Sequence, residues 1–325
     1  MTRKRQRKNG SSLLKQFLQV ARHFAQRFVL TLPALWLVLT MVFLMIHIVP
    51  GDPVEQMLGE GAAPGELAQL RHSLDLDRPL LEQYAHYLKG LAHGDLGLSL
   101  KYQAPVRRII FDRYPATLEL AFLALIVCAA IAIPAGIFAA HRRGHAADRA
   151  VGLFTLFGLA VPNFALGPIL ILVFSIELGL LPVSGRAGLL SYVLPAATLG
   201  AALAAILTRM VRGAMLEELS ADYVRTARAK GLGTAAVLFR HAFRNALIPV
   251  ITILGLQFGT LLAGTIVTET IFSWPGIGRL TVQAISARDY PLLQGCILVI
   301  SVSYVLVNLL TDLLYSFIDP RVRLA

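Results

Sequence analysis

The side chains best placed to do chemistry lie in one polar stretch, SADYVRTARAKGLGTAAVLFRHAFRNALIP, over 220–249. Asp222 stands at its start, Arg225, Arg228 and Lys230 follow, and Gly231-Leu232-Gly233 comes next. An acid early and bases late complement a helix dipole. Ser220 is therefore expected to cap a short helix that Gly231 closes, and Thr234 to cap a return helix running toward Pro249. Tyr223, Val224, Ala227 and Leu232 give the first helix a small apolar patch with a basic rim. The chemistry this supports is non-covalent: a knob that docks in a cleft on a partner protein, with small Ala227 and Ala229 permitting close approach. The plainer alternative is a solvated basic loop.

Bond-making chemistry finds no foothold. No G-x-x-x-x-G-K-[ST], HExxH or GxSxG occurs, so no P-loop nucleotide site and no enzyme is expected. Cys128 and Cys296 sit inside apolar runs and read as packing residues. His86 and His93 are seven apart, a spacing that aligns them on a helix. No cysteine or clustered acid stands near them, so a metal site is not expected. Glu119, Glu177 and Asp312 fall near the ends of apolar runs, with no deep Lys or Arg to pair them. That speaks against a proton- or sodium-coupled transporter. Asn308 and Asp312, one helical turn apart, are expected to bond a neighbouring helix.

The elements that position these residues are membrane spans. The chain is 56% hydrophobic and only 15% charged, where soluble domains carry about a quarter charged. Six runs near the roughly 20 residues needed to cross a bilayer fall at 28–49, 116–140, 151–178, 192–211, 246–268 and 292–317. The third contains Pro162 and Pro168, so a break near Val161–Asn163 is expected. The fourth, AATLGAALAAIL in part, is rich in small residues and is placed inside the bundle. The first follows RKRQRK but is longer than a signal core and lacks an A-x-A site, so it reads as a retained span.

With the N-terminus inside, cytoplasmic segments hold 20 of the 30 Lys and Arg residues, and outer segments hold 10. Both termini are therefore expected in the cytoplasm. The net charge of +11 is largely this inward bias, and no nucleic acid partner is expected. The outer segment 50–115 contains an amphipathic helix over 79–93, with Leu80, Leu81, Tyr84, Tyr87, Leu88 and Leu91 on one face. It is a packing lid or a docking surface. Trp274-Pro275-Gly276, in 269–291, is a turn whose aromatic anchors the interface or lines a pathway mouth.

The polar elbow resembles the EAA loop of ATP-binding-cassette importer permeases, in the version of the dipeptide, oligopeptide and nickel group. Asp222 to Leu232 match D-Y-V-R-T-A-R-A-K-G-L, and His241, Arg244, Asn245, Ala246 and Pro249 match H-x-x-R-N-A-x-x-P. Arg225-Thr226-Ala227 stands where the broader consensus has E-A-A, a departure that narrows the match to this group. IVPGDPV, HGDLGLS, YPATLEL, LPVSG, RMVRGAMLE, ETIFSWPGIG and DLLYSFIDPRVR are similar to further hallmarks, in order, from about residue 28 onward. The large outer segment favours the first-permease type over its partner type.

The resemblance implies an all-α polytopic membrane protein with six transmembrane helices in the type I ABC-importer permease fold. It implies a basic cytoplasmic extension 1–27, a first span 28–49, an extracytoplasmic helical cap 50–113, and a five-helix core 114–317. The core carries the coupling elbow 213–245, and a cytoplasmic tail 318–325 follows. It implies a non-catalytic subunit of the bacterial inner membrane that forms half of a pathway for dipeptides or short peptides. Nickel or glutathione is the alternative cargo. The implied partners are a second homologous permease, two ATPase subunits that bind the ATP, an extracytoplasmic binding protein, the peptide and membrane lipid. No cofactor of its own is implied. Asp222, Tyr223, Arg225, Ala227, Gly231 and Leu232 are the implied coupling residues, with Gly231 as hinge. A lone secondary transporter or channel, and a membrane scaffold, are the competing classes.

Overall fold

The computed structural model describes residues 29–48, 52–59 and 62–318. The basic extension 1–27 and nearly all of the tail 318–325 lie outside them. Five helices are each long and apolar enough to cross a membrane, and a bent helix pair makes a sixth if it is counted as one span. The chain is a multi-pass membrane protein. In order, α1 (Val29–Ile48) is followed by three short helices, α2 (Pro53–Leu58), α3 (Pro64–Ser73) and α4 (Leu80–Ala92). A hairpin, β1 (Leu98–Ser99) with β2 (Ala104–Pro105), leads into α5 (Val106–His141).

α5 has 36 residues, about 54 Å at 1.5 Å per residue, so it outruns a core of roughly 30 Å. It begins ten residues before the expected second span, because residues 106–115 continue the same helix. α6 (Ala146–Ala160) and α7 (Asn163–Leu170), the latter extended by a π-helical turn to Glu177, form the bent pair. They meet at 105°, and the break falls at Val161–Asn163. Val161 takes an extended ψ of 118°, the conformation favoured before a proline because the α region clashes with the ring.

α8 (Val193–Ser220) packs most extensively against α5. Half of its apolar window is buried, more than in any other span described, so the fourth span lies inside the bundle. Small residues permit this approach: a Cβ on Gly200 would sit 2.6 Å from the Ala124 carbonyl oxygen. The chain continues through α9 (Asp222–Ala229), a π-helical turn (Ala236–Ala242), α10 (Phe243–Gly264), α11 (Ile266–Ile271), α12 (Ile277–Ser286) and α13 (Tyr290–Ile318). α10 packs on α13. There the Asn308 Oδ1 is buried without a hydrogen-bond partner among the described residues, close to Gly259 of α10.

The segment of short helices after α1 is tied back to it. Thr40 Oγ1 and the Tyr84 hydroxyl are 2.7 Å apart, and His47 Nε2 is 2.9 Å from Gln83 Oε1. The Phe43 ring packs on Tyr84 and Tyr87. This turns α4 from the orientation its apolar pattern suggests: Gln83 is buried while Leu80 and Leu81 are exposed. Bonds to His47 and the Arg78 carbonyl satisfy the Gln83 amide and remove the usual cost of burying it. His86 pairs with Asp75 and His93 bonds the Lys89 carbonyl, so each histidine has its own partner.

The candidate coupling elbow and the fold behind it

α8 stops at Ser220 and α9 starts at Asp222, with Ala221 extended at ψ 149° between them. Ser220 is not the expected cap. Its hydroxyl donates backward to the Glu217 carbonyl at 2.7 Å, as the last residue of α8. α8 outlasts its apolar run by about two and a half turns, and so takes up the residue that was to start the next helix. Thr234 likewise is the first residue of the return helix rather than its cap.

The end of α9 is a glycine-closed turn. Gly231 N–H donates to the Arg228 carbonyl at 2.9 Å, and Leu232 N–H to the Ala227 carbonyl at 3.3 Å. This paired arrangement places Gly231 in the left-handed region, at φ +75°, and satisfies two carbonyls that the helix end would leave open. Gly231 closes the short helix, as its place after Lys230 suggests.

The apolar patch divides between two roles. Val224 and Ala227 turn inward and pack with Val237 and Leu219 in a small core of the elbow's own. Ala227 is only 6% exposed, and its methyl packs within the chain. What the elbow presents outward is Tyr223 and Leu232, each more than a third exposed, beside the Asp222–Arg225 pair, whose side chains are almost fully solvated.

The elbow is joined to the bundle at both ends. The Tyr223 hydroxyl donates to Glu218 Oε2 on α8, and the Asn245 amide of α10 reaches the same oxygen at 3.5 Å. Partial burial and this acidic neighbour push the Tyr223 hydroxyl above the usual tyrosine range. Leu238 and Ala242 of the return segment sit in the same apolar core as Val211 and Met215 of α8 and Ile137 of α5. A push on α9 therefore reaches three spans through packed atoms. Glu218 went unnoticed in the sequence, where nothing but its place before the elbow marks it.

On the opposite side of the bundle, the ETIFSWPGIG stretch builds a polar cluster that sequence reading missed. Glu269 is fully buried. Thr117 Oγ1 donates to its Oε1 at 2.7 Å, Thr265 Oγ1 to the same oxygen at 3.1 Å, and Arg279 N–H to Oε2 at 3.0 Å. Thr117 Oγ1 in turn accepts from Ile277 N–H at 2.9 Å. The carboxylate thus serves the open N–H groups at the start of α12 and ties α5, α11 and α12 together. Burial raises its pKa, and these donors pull it back. Gly276 is required for the fit, since a Cβ there would lie 2.3 Å from Glu269 Oε1.

Trp274 is completely buried and donates to the Ala116 carbonyl at 2.8 Å. Neither interface anchor nor pathway lining describes it: it is part of the core between α5 and α8. Glu119 also has a partner, from a loop rather than a span. Arg186 Nη2 reaches both of its oxygens at 2.6 and 2.7 Å, and the Tyr192 hydroxyl donates at 2.8 Å.

Comparison with known proteins agrees with this architecture. Residues 132–324 match the family described as binding-protein-dependent transport system inner membrane component, and residues 20–121 match its N-terminal counterpart. The chain is 44% identical over 331 residues to the dipeptide transport system permease protein DppB of Escherichia coli K12, covering 92% of this chain and 97% of that one. It is 44% identical to the di/tripeptide permease DppB of Pseudomonas aeruginosa, with 92% and 98% covered. It is also 44% identical to the glutathione permease GsiC of Escherichia coli K12, with 90% and 95% covered. Among solved structures, the MetNI methionine ABC transporter in inward-facing form superposes with a TM-score of 0.55 at 16% identity, over 65% of this chain and 96% of that one. That likeness concerns the fold, which is the type I ABC-importer permease fold. With both family matches and near full-length relatives, the chain belongs to the family of binding-protein-dependent transport system inner membrane components.

Proposed function

We propose that this chain is one of two permease subunits of an ATP-binding-cassette importer, and forms half of a pathway that carries dipeptides or short peptides across the cytoplasmic membrane. The observation that carries the reading is the elbow: a pre-shaped helical knob, closed by Gly231 and packed into α5, α8 and α10. The sequence carries no G-x-x-x-x-G-K-[ST] motif, and in this reading the energy enters through that knob. Two ATPase subunits bind and hydrolyse the ATP, a second homologous permease completes the pathway, and an extracytoplasmic binding protein delivers the peptide. Both termini face the cytoplasm. The residues that meet the ATPase are Asp222, Tyr223, Arg225 and Leu232, which stand outward. Closure of the ATPase pair moves α9, and the rigid joint at Glu218, Tyr223 and Asn245 passes that displacement to the spans.

The peptide assignment rests on relatives named as dipeptide and di/tripeptide permeases. Glutathione, itself a short peptide, is the second reading, because relatives named for it are equally similar. The test is uptake of a labelled dipeptide by cells with and without this chain, with labelled glutathione and nickel in parallel. Loss of dipeptide uptake alone is expected. Intact dipeptide uptake with lost glutathione or nickel uptake would move the cargo to that substrate. No change in any of the three would refute the importer reading.

A further inference from the structure

A groove of about 610 Å³ runs between α6 and α8, lined among others by Arg149, Leu153, Leu156, Thr208, Arg209 and Arg212. Its floor is fixed. Asp148 accepts from Arg212 Nε at 2.6 Å and Nη2 at 2.9 Å, and from Gly144 N–H at 3.0 Å. Asp148 is the acid lining this groove, and this pair neutralises it. Arg149 and Arg209 are exposed and make no ion pair among the described residues. Arg142 and Arg143 lie in the turn just before α6 and add to the positive field. The groove therefore carries a net positive charge at one end of the bundle, with no acid among the described residues paired to Arg149 or Arg209.

The other end of the groove is apolar. Leu153 and Leu156 are each more than half exposed and continue along α6 from Arg149. From Arg149 to the end of α6 at Ala160 is eleven residues, about 16 Å of helix. The bend at Val161 then turns the chain aside. That length is about half of a hydrocarbon core of roughly 30 Å, the depth of one leaflet. Paired guanidinium groups suit a phosphate, and basic pockets between spans on the cytoplasmic side are where anionic headgroups bind.

We propose that this groove holds an anionic phospholipid of the cytoplasmic leaflet, its phosphate between Arg149 and Arg209 and an acyl chain along Leu153 and Leu156. The sidedness rests on the orientation given above, but lipid binding is read independently of transport, so the two can fail separately. The experiment is native mass spectrometry of the purified full-length chain with the subunits that co-purify, titrated with phosphatidylglycerol or with phosphatidylcholine of the same acyl chains. One phosphatidylglycerol is expected to bind preferentially. The double variant Arg149→Gln/Arg209→Gln is expected to weaken it about 25-fold, about 2 kcal/mol for two arginines, and Arg149→Lys/Arg209→Lys to restore most of it. Arg228→Gln/Lys230→Gln, which removes equal charge from the elbow, is expected to change nothing. Equal weakening by both glutamine pairs, or none by the first, would overturn the proposal. So would displacement of the lipid by millimolar inorganic phosphate, which would make this a free-phosphate site. A Leu156→Cys chain that cross-links to another subunit and escapes a photoactivatable phosphatidylglycerol would assign the groove to a protein partner.

Discussion

Gly231 offers a test in which two physical effects predict opposite orders. Its φ is +75°, and a Cβ built there meets nothing within 4 Å. Within this chain, substitution therefore costs backbone strain and no collision. For alanine that strain is about 1–2 kcal/mol, while asparagine and aspartate visit the left-handed region more readily. Aspartate at Gly231 is thus expected to assemble. The stability order is Gly, then Asn and Asp, with Ala lowest, and an apparent melting temperature about 2–4 °C below the parent for Ala. If the elbow sits in a groove of the ATPase, the open space around Gly231 is where the partner packs. Coupling then falls with side-chain size: Ala best tolerated, Asn worse, and Asp worst because it adds a charge. The assay is thermal melting of the purified complex alongside peptide uptake per ATP hydrolysed in proteoliposomes. Transport that follows the stability order, with Asn better than Ala, would show that Gly231 serves only the turn and would refute groove seating at this residue.

Two further predictions come from the joints behind the elbow. Tyr223→Phe removes the hydroxyl bond to Glu218 from a half-exposed site, at about 0.5–1.5 kcal/mol, so folding should survive; uptake per ATP is expected to drop severalfold while basal ATP hydrolysis persists, and an unchanged ratio would show that the bond transmits nothing. Glu269→Gln and Gly276→Ala each disturb the buried cluster at the start of α12, by about 1–3 kcal/mol through a weakened acceptor or overpacking. Because both act on one contact, their effects on melting are expected to combine non-additively, and strict additivity would show that the carboxylate and Gly276 do not share the contact.

The spans were legible because their signal is long and physical: about 20 apolar residues, and charges sorted by side. The bend of the third span was legible too, since Pro162 acts on its immediate neighbour and needs no tertiary context. Helix ends were not. Ser220 has the right side chain for a cap, yet α8 runs through it, because the packing of Val211 and Met215 against α5 and the return segment carries the helix past its apolar run. Local preference worth about 1 kcal/mol yields to such burial. The elbow was found by its residues, but the division of labour among them was hidden. Ala227 and Tyr223 read alike as patch residues, and only the position of Val237, ten residues beyond Ala227, decides that one packs inward while the other stands out. The Glu269 cluster shows the same limit more sharply. In sequence, Glu269 is an acid between two apolar runs, and Thr117 is a small residue 152 positions away. What makes them one site is the return of α11 and α12 onto α5, a contact no local pattern encodes. Gly276 and Gly278 beside that acid were the available signal: glycines at the start of a helix in an apolar stretch mean that something approaches closely, and here it is a carboxylate.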